Sequence, residues 1–491
     1  MNTRIEHDLL GDMALPATTW YGIQTQRAVD NFAITGVPIS HFPALVNALA
    51  MVKAAAARAN HELGLLPAHK ADAILAACSD IIGGHLHEAF VVDLIQGGAG
   101  TSTNMNANEV IANLALEKLG QPKGAYRHLH PNDDVNMSQS TNDAYPTAVC
   151  VGLQFAAEPL IESIASLKRA FEAKGREFAD VIKMGRTQLQ DAVPMTLGQE
   201  FEAFAVNLGE DIERIREACL LLCEVNLGGT AIGTGINTHP DYARLAVSHL
   251  AEISGRPIVP AANLVEATSD MGAFVLFSGI LKRLAIKLSK IANDLRLLSS
   301  GPRTGFGEIH LPPMQPGSSI MPGKVNPVIP EAVNQVAYQV IGSDLAVTMA
   351  AEAGQLQLNA MEPLIVYNLL NSLKMLDGAC SMLEHRCVRG IRADREQCRR
   401  HVDRSIGVIT ALVPHIGYAN ASRIASEALA SNSTVREHGL RAEQRVEAFG
   451  AEQCPYPAHR RHHRHGRVGQ RLPAAGRFSA APGRATRRPC R

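Results

Sequence analysis

Between positions 43 and 386 the chain repeatedly places apolar residues at helical spacing, often over twenty or more positions, and polar, glycine-marked loops approach these runs. The spacing predicts helices over 43–63, 69–82, a run ending at 116, 146–174, 197–223, 264–299, 331–351 and 363–386, with a smaller helical end-piece over 391–435. Helices that long, each with one apolar stripe, bury the stripes against one another as a bundle. Runs of β-branched residues with period two are scarce, aromatics make up only 4%, and alanine is abundant, so packed helices are favoured over a sandwich. The expected class is all-α. Residues 1–45 read as irregular, with 19–28 as an arm docked on the body.

The formal net charge of zero hides two unlike parts. Residues 451–491 hold ten arginines and one acid, Glu452, which leaves 37 basic and 46 acidic residues in 1–450, a net of −9. A mildly acidic body gives no reason to expect nucleic acid or membrane as a partner. The basic tail lacks the interleaved aromatics on which bases stack. Its abrupt arginine, proline and alanine bias fits a GC-rich gene read out of frame from about 435–439, and an intact in-frame alternative ending in the gene is the check. Nine cysteines with no CxxC, Cys219 and Cys223 one helical turn apart in an apolar run, read as core thiols in a reducing, cytoplasmic compartment. Residues 1–8 have acids and no apolar core, unlike a signal peptide, and no apolar run is expected to approach membrane-spanning length.

Four polar clusters carry the chemistry. In Gly317-Ser318-Ser319-Ile320-Met321-Pro322-Gly323-Lys324-Val325-Asn326-Pro327, two glycines and two prolines forbid a continuous helix or strand. Two hydroxyls, a lysine and an asparagine suit an anionic ligand, and the glycines let the loop hinge as a lid. A P-loop fails on spacing and on Val325 after the lysine. The clusters at 96–109, 130–143 and 184–194 crowd Thr, Ser, Asn and Gln before long apolar runs. Taken alone, the first two are capped helix starts whose N–H groups also suit an anion. The Gly-x-Gly of the 228–238 connector has no preceding strand and no third glycine, which argues against a dinucleotide site. No cluster has metal-ligand spacing, and Ser318 has no sequence-adjacent base for a hydrolase triad. Neutral donors with one lysine fit a small dicarboxylate and an intermediate that gathers charge on a carboxylate.

The loop at 317–326 resembles, residue for residue, the signature G-S-S-x-M-P-x-K-x-N of the aspartase/fumarase superfamily, and the other three clusters resemble their counterparts there. The resemblance implies a mostly helical fold of three domains, placed here at 1–140, 141–390 and 391–435, with an atypical tail over 436–491. It implies a homotetramer built on the central bundle, active sites shared by three subunits, and no redox or organic cofactor, with divalent-cation activation left open. Ser318 would be the general base, acting as an alkoxide stabilised by loop N–H groups. Thr101, Ser140, Thr141 and Ser319 would hold the carboxylate that gathers charge. Lys324 and Asn326 would fix the other carboxylate, and Asn142, Thr187 and Gln188 would surround an amino group. Fumarases carry His where Gln188 stands, so the resemblance leans to the aspartase side and to reversible loss of ammonia from L-aspartate to give fumarate. The alternatives are fumarate hydration and a catalytically silent oligomer of the same fold. RNA binding through the tail is a further alternative.

Overall fold

The computed structural model describes residues 2–437. It begins with a hairpin of β1 (Thr3–Asp8) and β2 (Gly11–Pro16), then α1 (Ile23–Asn31), α2 (Pro43–Glu62), α3 (Ala68–Ile82), α4 (Thr101–Lys118) and α5 (Thr141–Glu177). A second hairpin, β3 (Ile182–Thr187) and β4 (Gln190–Thr196), leads into α6 (Leu197–Leu221). There follow β5 (Glu224–Val225), α7 (Tyr242–Ser254), β6 (Val259–Pro260), α8 (Leu264–Ala267), α9 (Gly272–Leu298), β7 (Ile309–His310), α10 (Val328–Glu352), α11 (Glu362–Arg386), β8 (Arg392–Ala393), α12 (Arg395–Arg404), α13 (Val413–Ile416) and α14 (Tyr418–Ala430). Every strand is one half of a two-stranded ribbon, so the expected helical class holds. The chain divides into two compact units, Met1–Val408 and Ile409–Arg491; in the second, α13 packs on α14. All but the first two residues of the expected tail, 436–491, lie outside the described residues.

In the first unit five long helices close a ring: α5 packs on α6, α6 on α9, α9 on α10, α10 on α11, and α11 back on α5. Their inward faces form one continuous core, for example Leu160, Leu167, Phe201, Leu208, Leu281, Leu288, Val340, Leu369 and Leu376. The short links fix the direction of each helix. Asn226, past the end of α6, bonds to Asn142 at the start of α5 and to Thr268 before α9. At the other end, Lys174 late in α5 reaches the carbonyl of Ile391 past α11, and Lys183 past α5 reaches Glu308 past α9. The helices therefore alternate up and down, and α5, at 37 residues, runs about 55 Å from one end to the other.

The observed ends show where local signals were outweighed. The helix expected from 146 starts at Thr141, because Ser140 and Asp143 form a reciprocal cap. Pro146 then sits inside the helix without an N–H for the Asn142 carbonyl, and the Asn226 amide donates to that carbonyl instead at 2.9 Å. The run expected as one helix over 264–299 breaks after Ala267, where the Asp270 carboxylate accepts from the Gly272 N–H and starts α9 anew. Residues 1–45 are not irregular: they form the first hairpin, α1 and the start of α2. The docked arm is real, since the buried Glu109 carboxylate accepts from the N–H groups of Gly22, Gln24 and Thr25 and from the Thr25 hydroxyl. Helix α5 is long and apolar enough to cross a membrane by length and composition, contrary to expectation, but more than half of its apolar window is buried inside the protein.

Gly198, first turn of α6, lies against the end of α5: a Cβ there would stand 2.5 Å from the Gly175 carbonyl oxygen and 2.8 Å from Ala179 Cα. Backbone atoms cannot swing aside. Gly198→Ala is expected to lower stability by about 1–3 kcal/mol in urea denaturation. Gly279→Ala on α9, which meets nothing within 4 Å, serves as the control and is expected to be neutral or stabilising by up to about 1 kcal/mol.

Candidate active site

At one end of the bundle the N-termini of α4 and α5 meet. The turn into α4 passes through Gly98, Ala99 and Gly100, all with positive φ, and Gly100 lies flat against the Tyr145 ring, where a Cβ would come within 2.3 Å. Thr101 follows, exposed, its hydroxyl donating to the Gly98 carbonyl at 2.6 Å. The Thr103 N–H is taken by the Gln96 side chain, so fewer first-turn N–H groups are open than the sequence suggested. On α5, Ser140 Oγ accepts from the Asn142 N–H at 3.2 Å and Thr141 Oγ1 accepts from Asn104 Nδ2 at 3.1 Å. A hydroxyl held as an acceptor keeps its own proton to give, so both side chains are oriented donors. Asn142 Nδ2 donates to the Ala231 carbonyl at 2.8 Å, which ties the 228–238 connector to this end.

Beneath the pair lies a buried polar layer that sequence reasoning missed. Lys53 is fully buried, and its Nζ donates to Asn104 Oδ1, Asn136 Oδ1 and Gln139 Oε1 at 2.6, 2.8 and 2.9 Å. Burial pushes its ammonium down to about 7, and Asp143 pulls the other way. Burial likewise raises the Asp143 carboxyl, opposed by the N–H groups of Ser140, Thr230 and Gly228 and by Lys53. The available signal was one lysine inside the alanine-rich run of α2, which reads as a solvated position.

The remaining predicted residues sit at the opposite end. Thr187 ends β3, and Gln188 and Leu189, with φ of 54° and 62°, make a two-residue turn between the strands. Two non-glycine residues in the left-handed region store strain at the tip. The signature loop is closed at its neck: the Gly317 N–H donates to the Lys324 carbonyl at 2.8 Å, and Asn326 Nδ2 donates to the Gly317 carbonyl at 2.9 Å. A Cβ on Gly317 would lie 2.5 Å from the Lys324 oxygen, so only glycine closes this neck. Ser318 Oγ accepts from the N–H groups of Ile320 and Met321 at 3.2 and 3.0 Å. Lys324 has no ion-pair partner among the described residues, and Ser319 has no side-chain bond there.

The candidate residues thus fall into two groups, at the two ends of the bundle. Thr101, Ser140, Thr141 and Asn142 stand at the start of α5, whereas the hairpin with Thr187 and Gln188 begins past its end. The helix is about 55 Å long and a six-residue strand returns only about 20 Å. Among the described residues no hydrogen bond or ion pair joins the hairpin tip or the signature loop to the α4–α5 group. A cleft of about 400 Å³ between α5 and α6, lined by Gln154, Glu158, Cys219, Cys223 and Arg256, holds none of the predicted residues. Cys223 is buried and Cys219 half-buried there; burial raises both thiols, that of Cys219 to about 11, which agrees with core cysteines.

Residues 11–342 match the protein family described as Lyase, and residues 408–444 the one described as Fumarase C C-terminus. The second match runs past 435–439, where the break in composition was expected to begin. Over 437 residues the chain is 67% identical to an aspartate ammonia-lyase of Pseudomonas aeruginosa, covering 89% of this chain and 92% of that one. Over 465 residues it is 52% identical to an aspartate ammonia-lyase of Escherichia coli, covering 94% and 97%. A crystal structure of fumarate lyase:delta crystallin from Brucella melitensis, bound to cobalt, superposes with a TM-score of 0.88 at 63% identity, covering 90% of this chain and 96% of that one.

Lys53→Met leaves the side-chain carbonyl oxygens of Asn104 and Gln139 without a donor, while that of Asn136 keeps the amides of Asn104 and Asn108, and it is expected to cost about 1–3 kcal/mol in urea denaturation. The depressed Lys53 pKa means that the unfolded chain binds this proton more tightly, so the wild-type side chain loses stabilising effect as pH falls toward about 7. The cost of the substitution is therefore expected to be larger near pH 10 than at pH 7.

Proposed function

The chain belongs to the aspartase/fumarase superfamily of lyases, and from that premise we propose that it is a carbon–nitrogen lyase for the reversible deamination of L-aspartate to fumarate and ammonia. Ser318 is the base. Its alkoxide takes one Cβ proton, the electron pair moves into the neighbouring carboxylate to give an aci-carboxylate dianion, and collapse of that dianion expels ammonia from Cα. The observation that carries this reading is the pair of backbone N–H groups, of Ile320 and Met321, aimed at Ser318 Oγ, since donors directed at a developing alkoxide lower the pKa of its hydroxyl. Ser140 and Thr141, held as acceptors by the protein, have protons free for the charge-gathering carboxylate, with Thr101 and Ser319 beside them. Lys324 and Asn326 take the other carboxylate. Asn142, Thr187 and Gln188 surround the amino group, where a neutral amide oxygen accepts from an ammonium.

These roles require the two ends of the bundle to meet, which one chain does not allow. We therefore infer a homotetramer whose sites each combine residues of three copies. Exposed apolar side chains support it: Tyr338, Leu345 and Met349 follow one face of α10 at helical spacing, and Leu276 and Ile286 lie exposed on α9. A division at about 140 and 390, with a small domain to 435, accompanies this assembly. The seven described cysteines are all unpaired, in keeping with a cytoplasmic enzyme.

Purified protein is expected to release fumarate, followed by its ultraviolet absorbance, from L-aspartate and not from L-malate. Fumarate from malate alone would move the reading to a hydratase, and none from either to a silent oligomer. Ser318→Ala is expected to lower kcat by roughly 10²–10⁴-fold with an unchanged melting temperature; near-normal turnover would remove Ser318 from the role of base.

A further inference from the structure

Glu308 is fully buried between β3, the segment after α9, and α12. Its Oε1 lies 2.7 Å from Arg186 Nη1 and 2.9 Å from His401 Nδ1, and its Oε2 lies 3.1 Å from Lys183 Nζ. Lys183 also pairs with Glu200 at 2.7 Å, so two acids and two bases balance inside the cluster. His401 Nδ1 also lies 3.2 Å from Arg186 Nη2, and its Nε2 lies 2.9 Å from Gln397 Nε2, which donates to the Phe306 carbonyl. The Arg186 guanidinium also lies 4.2 Å from the centre of the Phe306 ring. A register shift between Met184 and Arg186 turns Arg186 into this cluster. It passes through Gly185, where a Cβ would stand 2.9 Å from the Val193 carbonyl.

Arg186 is the last residue before Thr187 and Gln188. Nothing else among the described side-chain bonds holds the strained tip from below, since neither Thr187 nor Gln188 has a side-chain bond of its own. We propose that Glu308 is a positioning residue for the amino-group subsite: it fixes Arg186 and Lys183 of β3, and with them the direction in which Thr187 and Gln188 project. His401 makes α12 part of the same support. The proposal rests on the reading of the chain as an aspartate deaminating lyase with Thr187 and Gln188 at the amino group.

The test compares both reaction directions with the intact protein. Glu308→Gln keeps the volume and removes the charge that holds Arg186. Its KM for ammonium in the addition direction is expected to rise about tenfold, and its KM for fumarate to stay within about twofold. If both constants rise together, or ammonium is unaffected, Glu308 has only a structural part and the proposal falls. Should Glu308→Gln lack a cooperative melting transition, His401→Asn removes one partner from the more open side, and an ammonium KM raised about threefold is then expected; an unchanged value overturns the proposal. A wild-type protein that forms no fumarate from aspartate defeats the parent reading and this one with it, whereas an active wild type with an unselective variant defeats this one alone.

Discussion

The Asp143 carboxylate is the contact on which the α4–α5 end depends. One oxygen caps α5 by accepting the Ser140 N–H at 2.9 Å, and the other takes the N–H groups of Gly228 and Thr230 at 3.0 Å each. The 228–230 connector is thereby fixed to the start of α5 through one buried anion, and Lys53 supplies the compensating charge from α2. A buried ion without such partners would cost several kcal/mol. Because α5 starts where this carboxylate sits, it also fixes the depth to which Ser140 and Thr141 reach. The polar layer from Lys53 through Asn104 to Thr141 is continuous, so the orientation of the Thr141 hydroxyl is inherited from the core.

At the opposite end the same logic uses a different chemistry. There the signature loop is held by its own backbone, through Gly317 and Lys324, and little of it is buried. Its serine is oriented by two N–H groups from the same turn, so the local geometry survives movement of the loop as a body. The hairpin tip, by contrast, is strained and owes its shape to what lies beneath it. One end of the molecule is rigid by burial, and the other combines a self-contained loop with a braced turn.

The long helices were legible because an apolar stripe repeated over twenty residues has few competing explanations. The loop at 317–327 was legible because its glycines and prolines exclude regular structure. The rest was hidden for identifiable reasons. Neither Gln188 nor Leu189 is a residue that advertises a left-handed turn, so β3 and β4 read as a polar cluster before a helix. The start of α1 depends on Glu109, more than eighty positions away in sequence. Lys53 could not be told from a surface lysine, because the acceptors that define it, Asn136 and Gln139, come from another cluster. The residue types of the candidate site were readable; their division between two ends was not, since it follows from the length and direction of α5.

That length has a consequence for heredity. If each site takes its upper residues from one copy and its loop from another, a chain damaged only near Thr141 and a chain damaged only at Ser318 are not equivalent failures. Mixed in one assembly, they leave some sites with both intact halves, so two inactive alleles restore part of the activity in a cell that carries both. A chain damaged at one of these positions spoils sites only in proportion to its share of the subunits, because each position enters one site, whereas a chain damaged at both spoils more than its share.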